Sequence, residues 1–242
     1  MYQIEKLQLS ADTKIADVII NNPYLMLLLE HFGIEAPLQE KTVGDVCAEN
    51  KINPKLFLAF VSLYNGLPYD FGDNFTHCDI SSIIVYLKNS HKYYSEEIYP
   101  TILGIIRQMS HSESQSEMAL VEKFFDEYFA EVTEHLNYEN DIVFPYIINL
   151  QEIFSGLKNP VDLSKYSVSE YREHHDDIKE KLDDLKNLLI KYLPQKEAPS
   201  IRRKLLMSLF ELEYDLNIHS QIEDSLLIPL VAKMELYLKN KE

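Results

Sequence analysis

Apolar residues recur every three to four positions along four long stretches of the chain, about 79–110, 116–150, 168–192 and 200–238. In the first of these, Ile83, Ile84, Leu87, His91, Ile98, Ile102 and Ile105 line one face. That period marks an amphipathic helix with a single buried stripe, and the alternation of a β-strand is absent throughout. The connections are short and polar. Ser110-His111-Ser112-Glu113-Ser114 separates the first two stretches, and Leu193-Pro194-Gln195-Lys196-Glu197-Ala198-Pro199 separates the last two. Ser167-Val168-Ser169-Glu170 has the spacing of a capping box and opens the third. Four long helices with short connections predict an all-α chain that ends in an antiparallel, up-down four-helix bundle.

A shorter pattern precedes them. Asp12-Thr13 can cap a helix over Ile15–Ile20, Pro23 can open another through Leu29 and Phe32, and Gly33 is placed to stop it. Asn53-Pro54 starts a further helix with Leu56, Phe57, Phe60, Val61 and Tyr64 on its apolar face. From Asn65 to Asn74 the chain is rich in Gly, Pro and Asn, which break helices. The expected organisation is a small helical module over 1–66, a linker over 67–78 and the bundle over 79–242.

Composition narrows the classes of function. With 242 residues, 46% of them hydrophobic, and only 6 Gly, the chain can bury a sizeable helical core. No run approaches about 20 uninterrupted apolar residues, so no membrane span is expected. The opening Met1-Tyr2-Gln3-Ile4-Glu5-Lys6 lacks the basic start and apolar run of a secretion signal, which makes a cytoplasmic protein the expectation. The net charge is −16, and no Lys/Arg cluster of useful size stands out. Nucleic acid is therefore excluded as a partner. Cys47 and Cys78 form no C-x-x-C pair and no disulfide framework.

The histidines carry the chemistry. His135 and Glu139 stand four apart, as do His219 and Glu223, and a helix stacks such residues one turn above each other on the same face. His135 and His219 are 84 residues apart. So are Glu139 and Glu223, Pro145 and Pro229, and His91 and His175. One unit, a histidine followed 44 residues later by His-x-x-x-Glu, thus occurs twice, as duplication of a helical hairpin would produce. The repeat selects His175 over its neighbour His174, because residue 90 is Ser90. His/Glu pairs at this spacing are common on exposed helices, and a metal-free bundle is the plain alternative. It is the repetition of three ligand positions and a proline that speaks for a metal.

In an up-down bundle His91, His135, Glu139, His175, His219 and Glu223 can meet at one level. His111 cannot join them, since 20 residues of helix carry it about 30 Å from His91 at 1.5 Å per residue. Asp224 is the rival on the fourth helix, but five residues turn a side chain about 140° from His219, and four only about 40°. His31 and His77 fall outside the repeat and are expected at the surface or a boundary. Tyr93, Tyr94, Tyr138 and Tyr214 are candidates for supporting hydrogen bonds, with ordinary packing as their plainer role. Four imidazoles and two carboxylates without thiolate suit two iron ions, or manganese, with zinc a second choice. Two bridging glutamates, two histidines per ion and an oxo or hydroxo bridge would leave a position open for O2 or NO.

These motifs, namely His91, His135-x-x-x-Glu139 with Phe144-Pro145, His175-Asp176, and His219-x-x-x-Glu223 with Ile228-Pro229, resemble the hemerythrin-like (HHE) cation-binding domain. The particular resemblance is to the repair-of-iron-centres proteins, with Pro23, His31-Phe32-Gly33-Ile34, Thr42-Val43 and Asn53 resembling their N-terminal module. The resemblance implies a cytoplasmic di-iron protein that helps restore iron–sulfur clusters after nitrosative or oxidative stress. Iron donation or NO chemistry, damaged iron–sulfur proteins as clients, and homodimers come with it. Two departures count. Ala36-Pro37-Leu38 stands where that family usually has a vicinal cysteine pair, and Lys179 stands where an oxygen carrier would have a second histidine on the third helix. An O2- or NO-binding sensor is the alternative function.

Overall fold

The computed structural model describes residues 9–35, 37–67, 69, 71, 74–110, 115–158, 166–173, 179–192 and 199–240. Among these the chain is all-helical, with no strand beyond a single bridge between Lys14 and Thr42. It divides into two compact units, one of residues 1–90, 148–162 and 221–242, the other of residues 91–147 and 163–220.

Four short helices begin the first unit: α1 (Ile15–Asn21), α2 (Leu25–His31), α3 (Val43–Glu49) and α4 (Pro54–Tyr64). The cap of α1 differs from expectation. Lys14 occupies the cap position without a side-chain hydrogen bond, while Thr13 Oγ1 accepts from the Ser10 amide instead. Gly33 does stop α2: its φ of 70° lets Ile34 N–H reach back to the Leu29 carbonyl and Gly33 N–H to Glu30. α3 is capped by Thr42 and Asp45 reciprocally, and Asn53 accepts from Lys55 N–H to start α4 behind Pro54. The core of this part is aromatic, with Phe60 wedged between Phe32 and Tyr86 and the hydroxyls of Tyr64 and Tyr86 2.8 Å apart.

The long periodic stretches form helices that are not regular throughout. α5 (Ile80–Lys92) passes through a π-helical turn over Tyr93–Ile98 into α6 (Tyr99–Ser110). α7 (Gln115–Tyr138) passes through one over Glu139–Val143 into α8 (Phe144–Phe154). α9 (Val168–Glu173) and α10 (Lys179–Asn187) come next, with a π turn over Leu188–Tyr192. Finally α11 (Pro199–Ile222) passes through Glu223–Leu227 into α12 (Ile228–Lys239). In the register of α6 the core position falls to Ile106, which is fully buried, and Ile105 is only half-buried. No helix among the described residues is long and apolar enough to cross a membrane.

Candidate metal centre

Within the second unit the last turn of α5 brings His91, α7 brings His135, the π turn that follows α7 brings Glu139 four residues on, and α11 brings His219. The Glu139 carboxylate is fully buried, a costly position for a charge unless partners surround it. They do. His135 Nε2 lies 3.0 Å from Oε1, and the Tyr171 hydroxyl donates to the same oxygen at 2.7 Å. Oε2 faces the other way, 3.2 Å from His91 Nε2 and 3.9 Å from His219 Nε2, without the alignment of a hydrogen bond to either. The two Nε2 atoms are themselves 3.4 Å apart.

The electrostatics follow from this packing. Burial by itself pushes the Glu139 carboxyl up, but the polar contacts of His135, His219 and His91 outweigh it and hold the group well below the ordinary carboxylate range. The charge is therefore kept inside the protein, facing nitrogen donors on two sides.

Neighbouring side chains orient the imidazoles. The Phe144 ring stacks on His91 with centroids 5.5 Å apart and planes 26° from parallel. Tyr94 meets His219 edge-on at 5.8 Å, and its hydroxyl donates to Asp215 Oδ2 at 2.7 Å, both groups being fully buried. Nε2 thus points toward Glu139 on all three histidines, and aromatic surface closes off the flanks of His91 and His219.

A metal fits this donor set. Ligands held at about 2.0–2.2 Å from one ion stand about 3–3.5 Å from each other, close to the spacing of His91 Nε2, His219 Nε2 and Glu139 Oε2. These three buried residues could hold a metal ion, with all their ligand atoms within 4.8 Å of one another.

Of the six residues singled out by the repeat, His91, His135, Glu139 and His219 come together. His175 lies outside the described residues, as do His111 and His174. Glu223 is fully buried one turn beyond His219 and belongs to the other compact unit, while Asp224 on the same turn is exposed. His31, expected at the surface or a boundary, is buried, its ring edge-on to Tyr86 and its carbonyl accepting from Asn89. His77 is half-buried against the Phe154 ring. Tyr93 bonds to Glu211, and Tyr138 pairs with Tyr166.

Sequence reasoning missed Tyr171, whose hydroxyl reaches Glu139. Its signal was its place four residues before His175, the same-face spacing already used for the His/Glu pairs. Compared with known family models, curated proteins and solved structures, the chain matches none.

Proposed function

We propose that the chain is a di-iron protein with a hemerythrin-like four-helix bundle, serving the response to nitrosative or oxidative stress by aiding repair of damaged iron–sulfur clusters. The observation that carries this reading is the two-sidedness of Glu139. Oε1 faces His135 and Oε2 faces His91 and His219, so histidine nitrogens flank both oxygens of one buried carboxylate. In this reading His91, His219 and His135 would hold the metal together with Glu139. His175 and Glu223 complete the set by the 84-residue repeat. Manganese or zinc would also fit these donor types and are second choices.

Bound iron would supply a redox-active centre with a position open to NO or O2. The chain's own residues have separate work. Glu139 holds negative charge at the centre, and Tyr171 fixes the orientation of its Oε1 side. Phe144 and Tyr94 exclude water from the faces of His91 and His219. Such outer partners hold ligands in place and tune how tightly they bind. Damaged iron–sulfur proteins as clients, homodimers and a cytoplasmic location belong to the same proposal.

The deciding experiment is metal analysis of protein purified without chelators. About two irons per chain is expected by the ligand count, with loss in His135→Ala and Glu223→Ala. Anaerobic NO titration of the iron-loaded protein should give a nitrosyl signal, and the protein should reactivate a cluster enzyme damaged by NO. No iron would sink the metal reading, and iron without reactivation would sink the repair role.

A sensing module is the second reading, favoured by Ala36-Pro37-Leu38 in place of the vicinal cysteines. It requires that iron or NO change the stability of the first 66 residues. Hydrogen exchange there, identical with and without ligand, would exclude it.

A further inference from the structure

Every proline in the interior of a described helix follows a π turn by two residues. Pro100 follows Tyr93–Ile98, Pro145 follows Glu139–Val143, and Pro229 follows Glu223–Leu227. Each turn is closed by a bond five residues long: Tyr99 N–H to the Tyr94 carbonyl, Phe144 N–H to Glu139, and Ile228 N–H to Glu223. Pro54, at the start of α4, has no such turn before it.

Elementary sterics account for the pattern. In a regular helix the proline ring strikes the carbonyl four residues back and offers it no N–H. For Pro145 that carbonyl is Asp141. Widening the turn before the proline moves the carbonyl aside and transfers the closing bond to the preceding amide.

The displacement has a consequence at the candidate metal centre. Five residues of α-helix carry a side chain about 140° round the axis, so Phe144 would point away from Glu139. The wide turn brings it back to the same side. There Phe144 is fully buried and lies against the ring of His91.

We propose that Pro145 and Phe144 are positioning residues of the His/Glu centre: the proline opens the turn at Glu139, the turn presents Phe144, and Phe144 sets the plane of the His91 ring. The ring plane decides where His91 Nε2 points, here 3.2 Å from Glu139 Oε2 and 3.4 Å from His219 Nε2. The effect on metal binding rests on the metal reading above; the effect on the His91 ring does not.

The experiment uses the full metal-free chain and the variants Pro145→Ala, Phe144→Leu and Phe144→Tyr. Through-hydrogen-bond couplings report the partner of Phe144 N–H, histidine side-chain nitrogen spectra report the His91 ring, and a Co2+ titration reports the site. In the parent, Phe144 N–H should couple to the Glu139 carbonyl. In Pro145→Ala the coupling should move to Asn140, the His91 signals should shift, and Co2+ should bind about tenfold to hundredfold more weakly with a changed visible band. Phe144→Leu should keep the Glu139 coupling while shifting His91 and weakening Co2+, and Phe144→Tyr should restore both. Far-UV dichroism guards against simple unfolding. Retention of the Glu139 coupling in Pro145→Ala, or unchanged His91 signals in Phe144→Leu, would overturn the proposal. A parent that fails to bind Co2+ would overturn the metal reading alone, and the nitrogen spectra would still judge the positioning roles.

Discussion

Tyr171 donates its hydroxyl to Oε1 of Glu139 at 2.7 Å, with both side chains fully buried. The bond joins α9 to the turn that follows α7 and reaches the carboxylate on the side His135 occupies. A hydrogen bond to a buried charged acceptor contributes about 1.5–3 kcal/mol. Tyr171→Phe should lower the stability of the metal-free protein by about 2 kcal/mol, read as a drop in the denaturant midpoint at constant slope. In the same variant metal affinity should fall about tenfold or more. An unchanged midpoint would show that the hydroxyl is not needed to hold Glu139.

Phe60 is fully buried between Phe32 and Tyr86 in the first unit. Phe60→Ala leaves a cavity that helices as short as α2 and α4 cannot close. The expected loss is about 3–5 kcal/mol, measured by urea unfolding with a probe in the N-terminal helices. A loss below about 1 kcal/mol would mean that this aromatic cluster collapses freely onto the gap.

Tyr99 gives a pH prediction. Burial raises its phenol, and the hydrogen bond to the Asp126 carboxylate raises it further, to about 12. The neutral form is the one favoured by folding. The contribution is therefore complete below the ordinary phenol range near 10 and is lost as pH rises from there through about 12. Tyr99→Phe should flatten this part of the alkaline limb of the stability curve. An identical limb in parent and variant would assign the alkaline loss to other groups.

The two thiols should separate cleanly. Cys47 is fully buried, and burial pushes its thiol up to about 12, whereas Cys78 is exposed. A thiol reagent at neutral pH should label Cys78 quickly and Cys47 only on unfolding. Equal labelling rates in the folded protein would mean that the helices around Cys47 open readily.

Part of this was legible in the sequence, for identifiable reasons. His91, His135, Glu139 and His219 were found because helix periodicity and an 84-residue repeat act on the same positions. α3 was missed because a seven-residue helix holds too few apolar positions to show a period, although Thr42 and Asp45 announce its start. His31 was expected at the surface or a boundary because a histidine outside the repeat shows nothing of its neighbours. Its burial depends on Tyr86, more than fifty positions away. Pro145 and Pro229 were noticed as markers of the repeat, yet what they do to the backbone went unread. A proline six residues after the glutamate was the visible sign of the π turn, and assuming a regular helix hid it.

These turns also change how the length of the chain should be counted. Each holds one residue more than a regular helical path between the same two faces would use. If one residue between 140 and 143 were removed and Pro145 replaced, Glu139 and Phe144 would stand four apart, about 40° round the axis, and would still face the same way. Removing one residue from the regular part of α7 would instead turn everything beyond it by about 100°. When this chain is set beside another that folds alike, the natural place for a one-residue gap is just before Pro100, Pro145 or Pro229.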